Sequence, residues 1–467
     1  MPLLSLSFAA LTAGTALLTR LAPRQYRYLV LLGASLLFYS FCGLKAFCGM
    51  LGNMLCCFFL AWGIERCQSG GKRTQAKALM TAAVFAECGL AACFHGQWLG
   101  SSFFALILLS YVFDVYHGKE RAQKNIFRFA SFAFFFPQMT QGPICRYRIT
   151  GKQLEDGKAA KWEEVCAGFE RILWGLLKKL VLADRLAVFV GAVYSAPGEF
   201  SGGALWLAVF CYAVEIYADF SGCMDIVLGA ALLFGIHLEE NFRQPYLAES
   251  FEEYWKRWHI TMGSWFREYV FYPLAVSPKV LKLSQQMAAG QKRPAIRRAA
   301  VVWLPLLATW FCTGIWHGTA WHYALWGLVN GLLILWESCT ANKRLAGAPG
   351  KIWRIVRTFT VTSFVRILFR AETVADALAV YGRMWLFGAA GNSVLSCGLD
   401  EKDFFVAAIG TLVLIGTDMW REKRGSAEKK LPGSVRWAVC LLGVAALMLF
   451  GRYGPGYDPA EFFYSRF

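Results

Sequence analysis

Two histidines in aromatic surroundings carry the proton chemistry available to this chain. His317 stands in Trp316-His317-Gly318, near the middle of residues 299–336, a run with no Asp, Glu, Lys or Arg. His259 stands in Trp255-Lys256-Arg257-Trp258-His259. An unperturbed imidazole titrates near pH 6.5, so it can take a proton from a hydroxyl and give it back within one reaction. An ionisable side chain deep in apolar sequence marks a functional site unless a structural partner accounts for it. The plain alternative for His317 is a packed histidine bonded to a backbone carbonyl. Gly314 with Gly318, and Gly327 with Gly331, form two Gly-x-x-x-Gly spacings that let helices close around it. Taken alone, His259 reads as an interfacial histidine that hydrogen-bonds and nothing more. His322 reads as structural, and His95, His117 and His237 lie near span ends.

Acids supply a second constellation. Asp219-Phe220-Ser221-Gly222-Cys223-Met224-Asp225 sets two carboxylates six residues apart, off any one face of a straight helix. They could carry protons or bind a metal. The commoner use is structural: capping a helix broken at Gly222, or pairing with an arginine such as Arg257 or Arg267. The 15 cysteines contain no Cys-x-x-Cys pair, and there is no His-Glu-x-x-His, Walker loop or Gly-x-Ser-x-Gly elbow. Zinc proteolysis, ATP-driven transport and serine hydrolysis lose support, and no resident metal or cofactor is expected.

The elements that position these groups follow from composition. Of 467 residues, 57% are hydrophobic and 17% charged, against about 25% charged in a soluble domain. A polytopic all-α membrane protein follows. Apolar runs occur at 3–19, 28–44, 46–64, 78–94, 98–113, 126–140, 203–215, 216–236, twice within 299–336, and at 358–369, 404–417 and 437–451, which makes roughly eleven to thirteen membrane segments. The net charge of +17 sits in the connections between them. That pattern is the topological signature of cytoplasmic loops, not of a nucleic-acid face. Residues 162–186 predict an amphipathic interfacial helix carrying Lys178, Lys179 and Arg185. Residues 251–272 mix tryptophan with cations, as at headgroup level. No connection is long enough for a further domain, so residues 1–467 are read as one membrane domain.

In order and spacing, several short elements resemble the membrane-bound O-acyltransferase family, in particular its bacterial branch that includes the alginate O-acetyltransferase membrane subunit. They are Ser110–Tyr116, the Phe136–Tyr147 loop with its Gly142-Pro143-Ile144, Gly175–Lys179, Tyr217–Gly222, Glu240-Asn241-Phe242, Pro245-Tyr246, Trp255–Ile260, Ser264–Tyr269 and Trp316–Gly318, with an aromatic ending at 461–467. The core of the resemblance falls within 99–337. It implies a ring of tilted helices around a central tunnel, in a multi-pass protein of the bacterial plasma membrane. His317 would be the catalytic histidine and His259 a second functional histidine on the donor side, able to hydrogen-bond the carbonyl or position the thioester. The implied reaction passes an acetyl group from cytoplasmic acetyl-CoA to hydroxyls of a cell-surface polysaccharide, directly or through an extracytoplasmic acetyltransferase partner. Substrate-binding roles would fall to Asn330, Arg257, Asp219, Ser221 and Trp316, and CoA phosphates would meet Lys178 and Lys179. Position 330 is Asn where many relatives carry His, so it has no acid–base role, and Glu215 stands where Gln is expected. Two other functions compete. One is D-alanyl transfer from an acyl carrier protein to teichoic acid. The other is a transporter or flippase using His317 and Asp219 as a proton relay, which would show inverted hydropathy repeats.

Overall fold

In a computed structural model, residues 2–94, 100–139, 141–292, 294–340, 347–387, 394–424 and 432–453 are described. His95, Thr140, much of the charged 421–436 connection and the aromatic ending at 461–467 lie outside them. The described residues form 21 α-helices and no ladder of strands; the one β-bridge joins Phe242 to Trp258. The helices are α1 Leu6–Leu21, α2 Arg27–Ser40, α3 Leu44–Ser69, α4 Arg73–Phe94, α5 Ser101–Tyr116, α6 Ile126–Ala133, α7 Phe136–Met139, α8 Lys152–Asp156, α9 Trp162–Leu176, α10 Asp184–Ser195 and α11 Gly202–Leu232. There follow α12 Phe251–Arg257, α13 Ile260–Phe266, α14 Tyr272–Ala275, α15 Pro278–Ala289, α16 Pro294–His317, α17 Trp321–Thr340, α18 Gly347–Arg370, α19 Val374–Arg383, α20 Glu401–Arg424 and α21 Gly433–Phe450. Among them α3, α11, α20 and α21 are long and apolar enough to cross a membrane. The apolar window of α21 buries nothing against the protein.

The chain divides into two compact units. One comprises 1–176, 222–240 and 454–467, the other 177–221 and 241–453. In the first, α9 crosses the end of α11 at glycines. A Cβ on Gly175 would lie 2.6 Å from the Gly222 carbonyl oxygen, and one on Gly229 2.6 Å from that of Gly168. Small residues are what permit such an approach. Arg171 of α9 reaches across to Asp225 at 2.8 Å and also pairs with Glu240. Every described residue of the 136–147 loop is buried. Its Gln138 amide donates to the Phe132 carbonyl at 2.8 Å.

In the second unit, Ser250 caps α12 by accepting the Glu253 N–H, as a helix N-cap does. α12 and α13 are then separated by Trp258 and by His259, the latter with a left-handed backbone (φ 45°, ψ 55°). The left-handed region costs L-residues energy but admits His more readily than most. The break is held by the Phe242–Trp258 bridge and by backbone bonds from Arg243 to Arg257 and from Ile260 to Asn241, both 3.0 Å.

Several sequence expectations change. Segments 203–215 and 216–236 are one 31-residue helix, α11, unbroken at Gly222. Glu215 lies within this helix, half-buried, with Oε2 enclosed and lacking a hydrogen-bond partner among the described residues. Segment 126–140 is two helices of 8 and 4 residues, too short to span. The amphipathic stretch 162–186 is α9, a π-helical turn over Leu177–Ala183, and the start of α10. Run 299–336 divides as the sequence suggests: α16 ends at His317 and α17 begins at Trp321.

Candidate active site

His317 is the last residue of α16 and is 2% exposed. Its ring meets Trp326 of α17 at 5.2 Å and 90°, Phe369 of α18 at 5.0 Å and 84°, and its neighbour Trp316 at 4.8 Å. α16 and α17 pack backbone to backbone because of glycine. A Cβ on Gly327 would lie 2.3 Å from the Trp310 carbonyl oxygen, and one on Gly314 2.4 Å from that of Tyr323. The two Gly-x-x-x-Gly spacings thus set where Trp326 stands against His317.

His259 is fully buried, with its ring edge-on to Phe220 at 4.8 Å. Trp316 stands 6.2 Å from it, so one indole touches both imidazoles. His259 lies between two seven-residue helices, outside the apolar spans. Burial first, and the neighbouring charge of His317 second, hold its imidazole well below the ordinary histidine range. It is therefore neutral at physiological pH. Its Nδ1 lies 3.3 Å from Asn241 Oδ1.

The remaining expected site residues are placed as follows. Asn330 is buried, with Nδ2 donating to the Trp326 carbonyl at 2.8 Å and Oδ1 accepting from Trp255 Nε1 at 3.3 Å. It ties together two tryptophans that themselves pack at 5.6 Å. Arg257 pairs with Glu253 at 2.6 Å and Glu422 at 2.8 Å. Asp219 pairs neither with Arg257 nor with Arg267, as the sequence suggested, but with Lys179 at 2.7 Å. The same ammonium reaches Asp184 at 2.7 Å. Lys178 donates to Ser221 Oγ at 2.7 Å. Both lysines, which the resemblance set against CoA phosphates, are buried, in contact with Ser221 and Asp219 of α11. For Lys179 the reason is that a carboxylate in an apolar helix requires a counter-charge at contact distance. His322 is buried with Nδ1 2.9 Å from the Leu368 carbonyl, a structural bond as expected.

Three contributors were missed as site residues. Phe369 closes the third side of His317. Arg366 is buried under a cage formed by Tyr246, Tyr254 and Trp258, its guanidinium 4.9–5.4 Å from the three rings and bonded to the Tyr254 hydroxyl. A cation in the apolar run 358–369 was the signal available for it. Asn241, quoted only as part of a motif, touches His259 directly.

The arrangement sets two buried imidazoles on one indole among aromatic rings. It holds no cluster of three or more metal-ligating side chains among the described residues. Two such imidazoles can take and return protons, which suits group transfer to a hydroxyl.

Comparison with known proteins bears on the reaction class. The profile of the membrane-bound O-acyltransferase family matches residues 29–289. A probable alginate O-acetylase of Azotobacter vinelandii is 29% identical over 397 residues, covering 79% of this chain and 74% of the relative. One from Pseudomonas fluorescens is 30% identical, covering 72% and 64%. A peptidoglycan O-acetyltransferase of Helicobacter pylori is 27% identical over 69% of this chain and 62% of its own length. A teichoic acid D-alanyltransferase of Bacillus subtilis is 25% identical over 57% and 66%. With the family profile covering more than half of its length, and with four helices among the described residues long and apolar enough to cross a membrane, this chain belongs to the membrane-bound O-acyltransferase family.

Proposed function

We propose that the protein transfers an acetyl group from cytoplasmic acetyl-CoA to hydroxyls of a cell-surface polysaccharide, directly or through an extracytoplasmic acetyltransferase partner. It would do so in the plasma membrane, within a ring of tilted helices around a tunnel. The observation that carries the reading is the placement of His317, at the end of a glycine-packed helix and sharing Trp316 with His259. His317 takes the proton of the acceptor hydroxyl as its oxygen attacks the thioester carbonyl. The C–S bond then breaks and the proton passes to the departing thiolate. General-base assistance of this kind contributes about 10² to 10⁴ in rate.

Two observations weigh against the competing functions. Relatives named as acetylating enzymes align over more of the chain, at higher identity, than those named for D-alanyl transfer. The transporter reading needs Asp219 as a proton carrier, and Asp219 is held by Lys179. The test is mass spectrometry of envelope polymers from a strain lacking the protein, complemented with parent or His317→Ala. Acetyl esters are expected to disappear and to return only with the parent. Loss of D-alanyl esters would move the assignment to the other acyl group. Full acetylation by His317→Ala would remove His317 from the chemistry.

A further inference from the structure

We propose that Asn241 is the positioning residue for His259: it holds the imidazole as the Nδ1–H tautomer, so that Nε2 carries the lone pair. The inference rests on the acyl-transfer reading above for its catalytic meaning, while the tautomer itself stands on geometry. Asn241 Oδ1 accepts the Thr261 backbone N–H at 3.0 Å and the Thr261 hydroxyl at 2.7 Å. A backbone N–H can only donate, so the atom it meets is the amide oxygen and not the NH₂ group. That same oxygen faces His259 Nδ1 at 3.3 Å. An acceptor that cannot donate requires the hydrogen to sit on Nδ1, and in a neutral ring Nε2 is then the acceptor. The backbone adds to the constraint. Asn241 also accepts the Ile260 N–H through its carbonyl, so one residue grips the chain on the C-terminal side of His259 and the ring itself. His317 is the titratable group whose charge His259 feels, while Phe220 and Trp316 pack against the ring.

The consequence changes the role open to His259. With its hydrogen committed to Asn241, neutral His259 does not donate to the thioester carbonyl. Its Nε2 can only accept a hydrogen bond, while His317 remains the group that takes the hydroxyl proton. An orienting partner of this kind is what makes an active-site imidazole effective, since the wrong tautomer presents an N–H where a lone pair is needed.

The test uses the full-length protein in lipid nanodiscs and in washed membranes that retain their own acceptor. ¹⁵N-histidine NMR, with His259→Gln to identify the signal, is expected to show a protonated Nδ1 and a bare Nε2. Thiol release from acetyl-CoA across pH gives the functional readout. Asn241→Leu, which removes the acceptor, is expected to mix the tautomers and lower kcat about tenfold or more, within the scale of general-base catalysis, with KM for acetyl-CoA unchanged. Asn241→Asp keeps the acceptor and the tautomer but adds a negative charge, which favours the imidazolium. Its acid limb is expected to move to higher pH, a shift that a merely structural role for Asn241 would not produce. A hydrogen on Nε2 in the parent, or an unmoved acid limb in Asn241→Asp, would overturn the proposal. Should Asn241→Leu not reach the membrane, the parent spectrum and the Asn241→Asp profile decide. Full activity in His259→Gln with the Nδ1–H tautomer intact in the parent would refute the catalytic reading of His259 and leave the positioning by Asn241 standing.

Discussion

Gly327→Ala is the sharpest probe of how the fold sets the site. A methyl at this position would lie 2.3 Å from the Trp310 carbonyl oxygen and 3.1 Å from Gly314 Cα, both backbone atoms that cannot rotate away. Restoring ordinary contact at about 3.4 Å requires α16 and α17 to part by about 1 Å, the difference between the two separations. Overpacking of this kind costs about 1–3 kcal/mol. It is partly offset by the roughly 1 kcal/mol that Ala gains over Gly in a helix. The catalytic cost is larger. Trp326, which precedes the glycine, packs on His317 at the end of α16. A displacement of about 1 Å at reacting groups costs on the order of 10²-fold in rate. Alkali-releasable acetate from the envelope, normalised to protein in the membrane, is therefore expected to fall by about that factor while the melting temperature falls by no more than about 2 °C. Gly52→Ala in α3, where a Cβ meets nothing within 4 Å, is the matched control and should retain full activity. If Gly327→Ala acetylates as well as the control, backbone contact between α16 and α17 does not set the position of His317.

Two further outcomes follow from the polar contacts. Lys179→Met strands Asp219 and Asp184 without their shared counter-charge and should destabilise the protein by about 3–5 kcal/mol; detergent thermal unfolding reads the loss, and Lys179→Met with Asp219→Asn should recover part of it. Thr373→Ala removes the capping box at α19, where the Thr373 hydroxyl accepts the Asp376 N–H and the Asp376 carboxylate accepts the Thr373 N–H. About 1 kcal/mol of stability should go with it and acetyl transfer should stay at the parent level.

Much of the site was legible in the chain because its signals are local. A histidine in an uncharged run of membrane length stands out by itself, and Trp316–Gly318 and Trp255–Ile260 occur in a recognisable order. The division of 299–336 was also legible, since Gly318 stands between two runs each long enough to be a helix. The α11 segment was not. Hydropathy measures whether a side chain tolerates an apolar medium, and it cannot tell lipid from protein interior. Glu215 therefore read as the end of a span, although it sits inside a helix that is largely buried in protein.

By itself, then, the sequence determined the all-helical membrane character, the candidate histidines and the family resemblance, because lipid imposes its demands residue by residue along the chain. The tertiary structure decided the pairings. Lys179 finds Asp219 forty positions away, Arg366 finds a cage built from Tyr246, Tyr254 and Trp258, and Asn241 finds His259 across a left-handed turn. Hydrogen bonds and ion pairs act over a few ångströms of space and carry no signature in spacing along the chain. The tautomer of His259, and with it the direction in which the site can move a proton, is therefore a property of the fold.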